Sequence, residues 1–121
     1  YNIECFIIPH NNSLFFYAIS GAMTALRKDP PAELAGSDVV LLRDLSTSIA
    51  LDCKTGASSS VPLPPSNVLE FTLEDGSRIL ARPSGTEPKI KLYVEVVGAD
   101  STAAAERLSE VVAAIRKRTR L

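Results

Sequence analysis

The chain has 121 residues, 45% of them hydrophobic and 22% charged, and a formal net charge of −1. That length supports one domain, 1–121, with a core of its own and no need for metal or disulfide staples. The near-zero charge excludes nucleic-acid binding through bulk positive charge, and no apolar run approaches the ~20 residues of a membrane span.

Ile3–Ile8 reads as a short strand, too short for a signal-peptide core and interrupted by Glu4 and Cys5. The chain opens on Tyr1 without a methionine, which suits a segment of a longer protein. Pro9 and the turn-prone Asn11-Asn12 close the strand, and Asn12 or Ser13 is placed to cap a helix. Leu14, Phe15, Ala18, Ile19, Ala22, Met23 and Leu26 recur at helical spacing and predict one apolar face. Lys28-Asp29-Pro30-Pro31 ends it, since proline cannot continue the helical ladder.

Val39–Leu45 is a compact apolar run and predicts a buried strand. Ser46–Pro65, with its run of Gly, Ser and Pro, reads as a mobile surface loop. Asn67–Glu74 alternates, with Leu69, Phe71 and Leu73 on one face. Asp75-Gly76 predicts a two-residue hairpin turn with positive φ at both positions. Arg78–Arg82 then returns antiparallel, and Ile90, Leu92, Val94 and Val96 share a face of the next strand. Asp100 or Ser101 caps a last helix whose stripe is Ala104, Leu108, Val111, Val112 and Ile115. Glu106 near its start and the basic residues near its end suit the helix dipole. The order is β-α-β-β-β-β-α, with four consecutive strands forming an antiparallel sheet and helices covering one face.

Cys5 and Cys53 are free to pair by count, but their spacing builds no framework, and a reduced, cytoplasmic setting is the simpler reading. His10 is the single histidine and reads as an exposed loop residue without a catalytic partner. Asp38, Asp44 and Asp52 lack metal-ligand spacing, and Arg116–Arg120 reads as a solvated helix end.

Chemistry concentrates between the last two strands, in Arg82-Pro83-Ser84-Gly85-Thr86-Glu87-Pro88-Lys89. Ser, Gly and Thr in sequence can turn several backbone N–H groups inward and add two hydroxyl donors. Arg82 and Lys89 supply positive charge at either end, and Lys91 adds to it. A phosphate ester requires such donors, and the planar Arg guanidinium meets two phosphate oxygens at once. From composition alone a tight inter-strand turn explains the same residues equally well. Pro83 and Pro88 stiffen the loop, while Glu87 would repel a phosphate and is read as orienting Arg82 or capping the loop.

The octet, followed by Ile90-Lys91-Leu92-Tyr93-Val94-Glu95, resembles the phosphate-binding loop in the last of the four domains of the α-D-phosphohexomutases, the phosphoglucomutase/phosphomannomutase family. Asp29-Pro30-Pro31, Leu34-Ala35-Gly36, Leu63–Leu69 and Leu73–Ser77 extend the likeness over Asp29 to Val97. The resemblance implies an α+β fold, a four-stranded antiparallel sheet with two helices in a TATA-binding-protein-like β-α-β(4)-α arrangement. It implies reversible phosphoryl transfer between the 1- and 6-positions (or 5-position) of a phosphosugar, glucose or mannose phosphate above all. Arg82, Ser84, Gly85, Thr86 and Lys89 are carried over as the contacts to the phosphate that is not reacting.

By the same resemblance the catalytic phosphoserine, the Mg²⁺ site and the sugar-recognition loop lie in upstream domains of the parent enzyme. This chain therefore holds no catalytic residue, metal or cofactor of its own, and is expected to be inactive alone. A free-standing phosphate-binding or protein-interaction module is the alternative.

Overall fold

The computed structural model describes residues 2–9, 13–83 and 89–119, with side chains from residue 21 onward except 84–89. The elements in chain order are β1 (Asn2–Pro9), α1 (Ser13–Lys28), β2 (Glu33–Leu34), β3 (Ser37–Asp44), β4 (Ile49–Asp52), β5 (Ser58–Ser60), β6 (Leu69–Leu73), β7 (Arg78–Pro83), β8 (Lys89–Val96) and α2 (Ser101–Thr119).

The expected four-stranded, TATA-binding-protein-like sheet is corrected. Seven strands run in the order β1-β8-β7-β6-β3-β4-β5, with β2 paired to β3 off that path. Every pairing is antiparallel. Two features account for the difference. β1 joins the sheet beside β8 over its full length, from Asn2↔Val96 to Pro9↔Lys89. The segment read as a mobile loop from Ser46 to Pro65 folds into β4 and β5, which extend the sheet beyond β3. Asp52 organises their connection: its Oδ1 accepts from the N–H groups of Lys54 at 2.9 Å and Thr55 at 3.1 Å, and Gly56 turns the chain at φ 78°.

β6, β7 and β8 show why a two-residue period specifies a register. Leu69, Phe71, Leu73, Ile79, Ala81, Ile90, Leu92, Val94 and Val96 all point to one face and are buried there. α2 covers that face with the predicted stripe, Ala104, Leu108, Val111, Val112 and Ile115. Met23 and Leu26 of α1 enter the same core; the earlier part of the α1 face lies outside the described side chains. Burying a Leu, Ile, Val or Phe side chain contributes ~1.5–3 kcal/mol, so this single face dominates the stability of the fold.

The helix termini follow their sequence signals. The N–H of Ala103 donates to Asp100 Oδ1 at 2.8 Å, which makes Asp100 the cap of α2. Of the basic residues at the other end, Arg118 is more than solvated. It reaches back to Asp29, whose backbone oxygen accepts its hydrogen bond and whose carboxylate lies 3.4 Å away, so the ends of the two helices are tied.

The hairpin turns differ from expectation. Glu74-Asp75-Gly76 is a three-residue loop: Leu73 accepts from Gly76 N–H at 3.0 Å and donates to Ser77 O at 2.8 Å. Among the described residues, positive φ occurs here only at Gly76, 92°, so the geometry is a turn with one left-handed residue. The turn with two positive φ values is Ala35-Gly36, at 51° and 78°, between β2 and β3. Alanine is a poor resident there. Arg107 of α2 holds it, donating from Nη1 to Ala35 O at 2.7 Å while its Nε donates to Asp75 Oδ2 at 2.8 Å. One arginine thus pins both hairpin tips to the second helix.

The two cysteines are not paired. Cys53 is free and exposed. Cys5 lies on β1 and Cys53 just beyond β4, five strand spacings away, or about 24 Å. A disulfide needs Cα atoms within ~7 Å.

Candidate anion-binding site

The site is built by the ends of β7 and β8. Alternation that buries Ile79 and Ala81 sends Arg78, Leu80 and Arg82 to the opposite, open face of the sheet; on β8 it sends Lys91, Tyr93 and Glu95 there. The register pairs Arg82 with Lys91 and Pro83 with Ile90. Two cations therefore face each other one pair short of the end of the β7–β8 ladder. Directly opposed side chains on a sheet sit ~4.5–5.5 Å apart at Cβ, and like charges there repel.

No hydrogen bond or ion pair joins Arg82 or Lys91 to another described residue. Arg82 is exposed and Lys91 half-buried. Among the described residues the rung is a concentration of positive charge without an acid partner, and an anion bound at it would relieve the repulsion. Ser84, Gly85 and Thr86 of the predicted set, together with Glu87 and Pro88, lie outside the described residues. So does His10. Lys89 is placed as the first residue of β8, opposite Pro9 of β1 in register.

Farther along the open face Arg43 and Arg78 are ion-paired, which sharpens the contrast. Glu70 of β6 is buried there, its side chain 6% exposed. It accepts from Arg43 Nη1 at 3.0 Å and from Arg78 Nη2 at 2.6 Å. The Glu70 hydrogen bond and charge, with Glu95 adding a smaller effect, raise the Arg78 pKa above its ordinary value. Arg43, Glu70 and Arg78 span β3, β6 and β7 as one ion-paired band. Sequence reading missed this band, although the alternation already places Arg43, Glu70 and Arg78 on the side away from the core.

Other titrating groups serve the hairpin connections. Burial opposes charge on Asp44, but hydrogen bonds from Ser46 and the Arg27 guanidinium outweigh it and lower its pKa. Asp75 behaves alike: burial opposes its charge, and hydrogen bonding from Ser77 with the Arg107 charge lowers its pKa. Burial, with the neighbouring Asp52 charge, pushes the Cys53 thiol up, away from reactivity. Among the described residues, no three His, Cys, Asp or Glu side chains come together to hold a metal ion. No helix among them is long and apolar enough to cross a membrane.

The fold and this hairpin end define an α+β domain whose open sheet face carries two opposed cations, with no acid partner among the described residues. Comparison with known proteins supplies the family. Residues 22–115 match the model for the phosphoglucomutase/phosphomannomutase C-terminal domain, and the chain belongs to this family. It is 42% identical over 98 residues to a probable phosphomannomutase of Haemophilus influenzae, covering 81% of this chain and 17% of that protein. A phosphoglucomutase of Staphylococcus aureus is 33% identical over 112 residues, 85% of this chain and 20% of that protein. One of Staphylococcus epidermidis is 36% identical over 95 residues, 71% and 17%. The chain thus spans a fifth or less of the length of these relatives.

Proposed function

We propose that this chain is the phosphate-holding domain of a phosphohexomutase, a part of an enzyme that moves a phosphoryl group between the 1- and 6-positions of a hexose. The observation that carries the reading is the Arg82–Lys91 rung, two opposed cations with no partner among the described residues, next to residues 84–88. Arg82 meets the phosphate with its planar fork. Ser84 and Thr86 give hydroxyl bonds, Gly85 an N–H, and Lys89 and Lys91 raise the local potential. The phosphate held here is the one that does not react. A site that recognises a dianion and little else accepts either end of a bisphosphorylated sugar, so the sugar can turn around between two transfers.

Chemistry belongs elsewhere in this reading. Nucleophile and Mg²⁺ lie in other domains of the parent enzyme, and no step is assigned to a metal here. The isolated chain binds phosphosugar and does not turn it over. Closure of the domain on bound phosphate would exclude water from the transfer.

Titrating the chain with inorganic phosphate, followed by amide NMR, tests the reading. Shifts centred on Arg82–Lys91 are expected. Arg82→Ala removes at least one charge-assisted hydrogen bond of ~1.5–3 kcal/mol, which is about a 10- to 100-fold loss of affinity. Equal affinity in parent and variant refutes the role of Arg82, and no binding by the parent refutes the site.

A further inference from the structure

Five apolar residues form one rung across the middle of the sheet, Leu51–Leu42–Phe71–Ile79–Val94. Charge is divided across this line. On the side of Arg82 and Lys91, the strands carry those two cations and Arg43 against Asp44 and Glu70. The last turn of α1 adds Arg27 and Lys28, placed there by the ion pair of Arg27 with Asp44. The last turn of α2 adds Arg116, Lys117 and Arg118, with Arg118 paired to Asp29. On the other side, strands and turns carry Glu33, Asp38, Asp52, Glu74, Asp75 and Glu95 against Lys54 and Arg78. Asp100, Glu106 and Glu110 join them around the first half of α2, together with Arg107, which bonds Asp75.

We propose that this division is a long-range field that draws phosphate ligands to the Arg82–Lys91 end in order of their negative charge, with Lys28 and Lys117 as selectivity residues that act at a distance. The field rests on the phosphate-holding function of that end and extends it from the contacts to the charge of the ligand.

One side holds eight basic and three acidic described residues, a charge of +5; the other holds three basic and nine acidic, −6. Glu4, Glu87, Lys89 and Arg120, the remaining charged residues, are two acids and two bases, so neither sign depends on where they stand. Each helix C-terminus brings about −0.5 charge to the positive side, which leaves it positive. With the same charges scattered evenly, a chain of net charge −1 would repel every anion weakly; the division reverses that at one end. Arg82 and Lys91 stand on the open face, whereas α1 and α2 pack on the opposite one. Lys28 and Lys117, on those helices, are exposed, and neither bonds to another described residue. They add potential at the site from behind the sheet. A trianion gains more from that potential than a dianion, and a neutral sugar gains nothing.

The test uses this chain and two probes, inorganic phosphate and pyrophosphate, titrated at pH 8 by amide NMR. Ionic strength is set at ~10 mM, where the Debye length is ~30 Å, and at ~1 M, where it is ~3 Å. Lys28→Glu with Lys117→Glu changes the field source by four charges. Over ~20 Å this is expected to weaken phosphate about 4-fold and pyrophosphate about 10-fold at the lower ionic strength. At the higher one, variant and parent should bind alike. Lys28→Gln with Lys117→Gln should give about half the effect on a logarithmic scale, and it decides the matter if the double Glu variant misfolds. A loss equal for the two ligands, a loss that persists at ~1 M, or no loss at all overturns the field and leaves the phosphate site standing. Absence of binding by either ligand to the parent chain overturns both.

Discussion

Replacing Glu70 tests whether the band on the open face is held as the geometry indicates. Its carboxylate bonds to Arg43 at 3.0 Å and to Arg78 at 2.6 Å, with side-chain exposures of 6% for the acid and 27% and 48% for the arginines. Arg78 also donates from Nε at 3.2 Å, and a charge-assisted bond to each of the two arginines contributes ~1.5–3 kcal/mol. Glu70→Gln keeps one as a weaker bond from a guanidinium to a neutral amide oxygen and turns its NH₂ toward the other arginine, donor against donor. Both guanidinium groups reach water, so part of the loss is recovered by solvation. The expected cost is about 2–3 kcal/mol.

The reverse perturbation is not additive. Because both arginines reach water, Arg43→Met or Arg78→Met alone, which leaves Glu70 one partner, should cost about 1 kcal/mol after solvation recovers part of the bond. The double variant strands a buried carboxylate, which costs about 3–5 kcal/mol, more than the two single effects combined. The chain has no tryptophan, so urea denaturation at pH 7 is followed by far-UV circular dichroism. Additivity of the two arginine variants within ~0.5 kcal/mol, or a Glu70→Gln effect below that figure, refutes the argument.

Two further predictions concern the connections. A Cβ added at Gly98 would lie 2.5 Å from Ala104 N, 2.7 Å from its Cα and 2.8 Å from its Cβ, with no flexible side-chain end to give way. Gly98→Ala must therefore displace the first turn of α2, at ~1–3 kcal/mol, and an unchanged melting temperature would contradict the close approach. Asp75 has a lowered pKa in the folded chain. Its stabilisation is present above the unfolded carboxylate value, ~3.9, and is lost as pH falls through the lower folded value. Asp75→Asn should flatten the decline in urea midpoint between pH 4 and pH 2. A decline as steep as that of the parent would remove Asp75 from the acid response.

Some of the fold is legible because one residue after another answers to the same constraint. Leu69, Phe71 and Leu73, then Ile90, Leu92, Val94 and Val96, alternate without a break and are all buried. The α2 stripe is equally plain. β4 and β5 escape because what holds them is the backbone ladder. Ser58, Ser59 and Ser60 are exposed and carry no apolar period, yet pair with Leu51, Ala50 and Ile49. The Ala35-Gly36 turn lacks the Asn-Gly signal and depends on Arg107, 72 residues away. The place of β1 is a tertiary choice too, since a short apolar strand does not announce its neighbour.

At the site, sequence supplies the octet, while the electrostatics need the register. Arg82 and Lys91 are nine positions apart, and only the β7–β8 pairing makes them one rung. The pairing that buries Ala81 against Leu92 also fixes this rung. A one-residue slip of either strand would turn its cation into the core, so the register that secures the fold also requires both charges to stand on the open face. Of the described acidic side chains on β6, β7 and β8, Glu70 is committed to Arg43 and Arg78, and Glu95 lies two rungs away. The positive charge gathered at the hairpin end is therefore a consequence of how the sheet packs, and the proposed anion site follows from it.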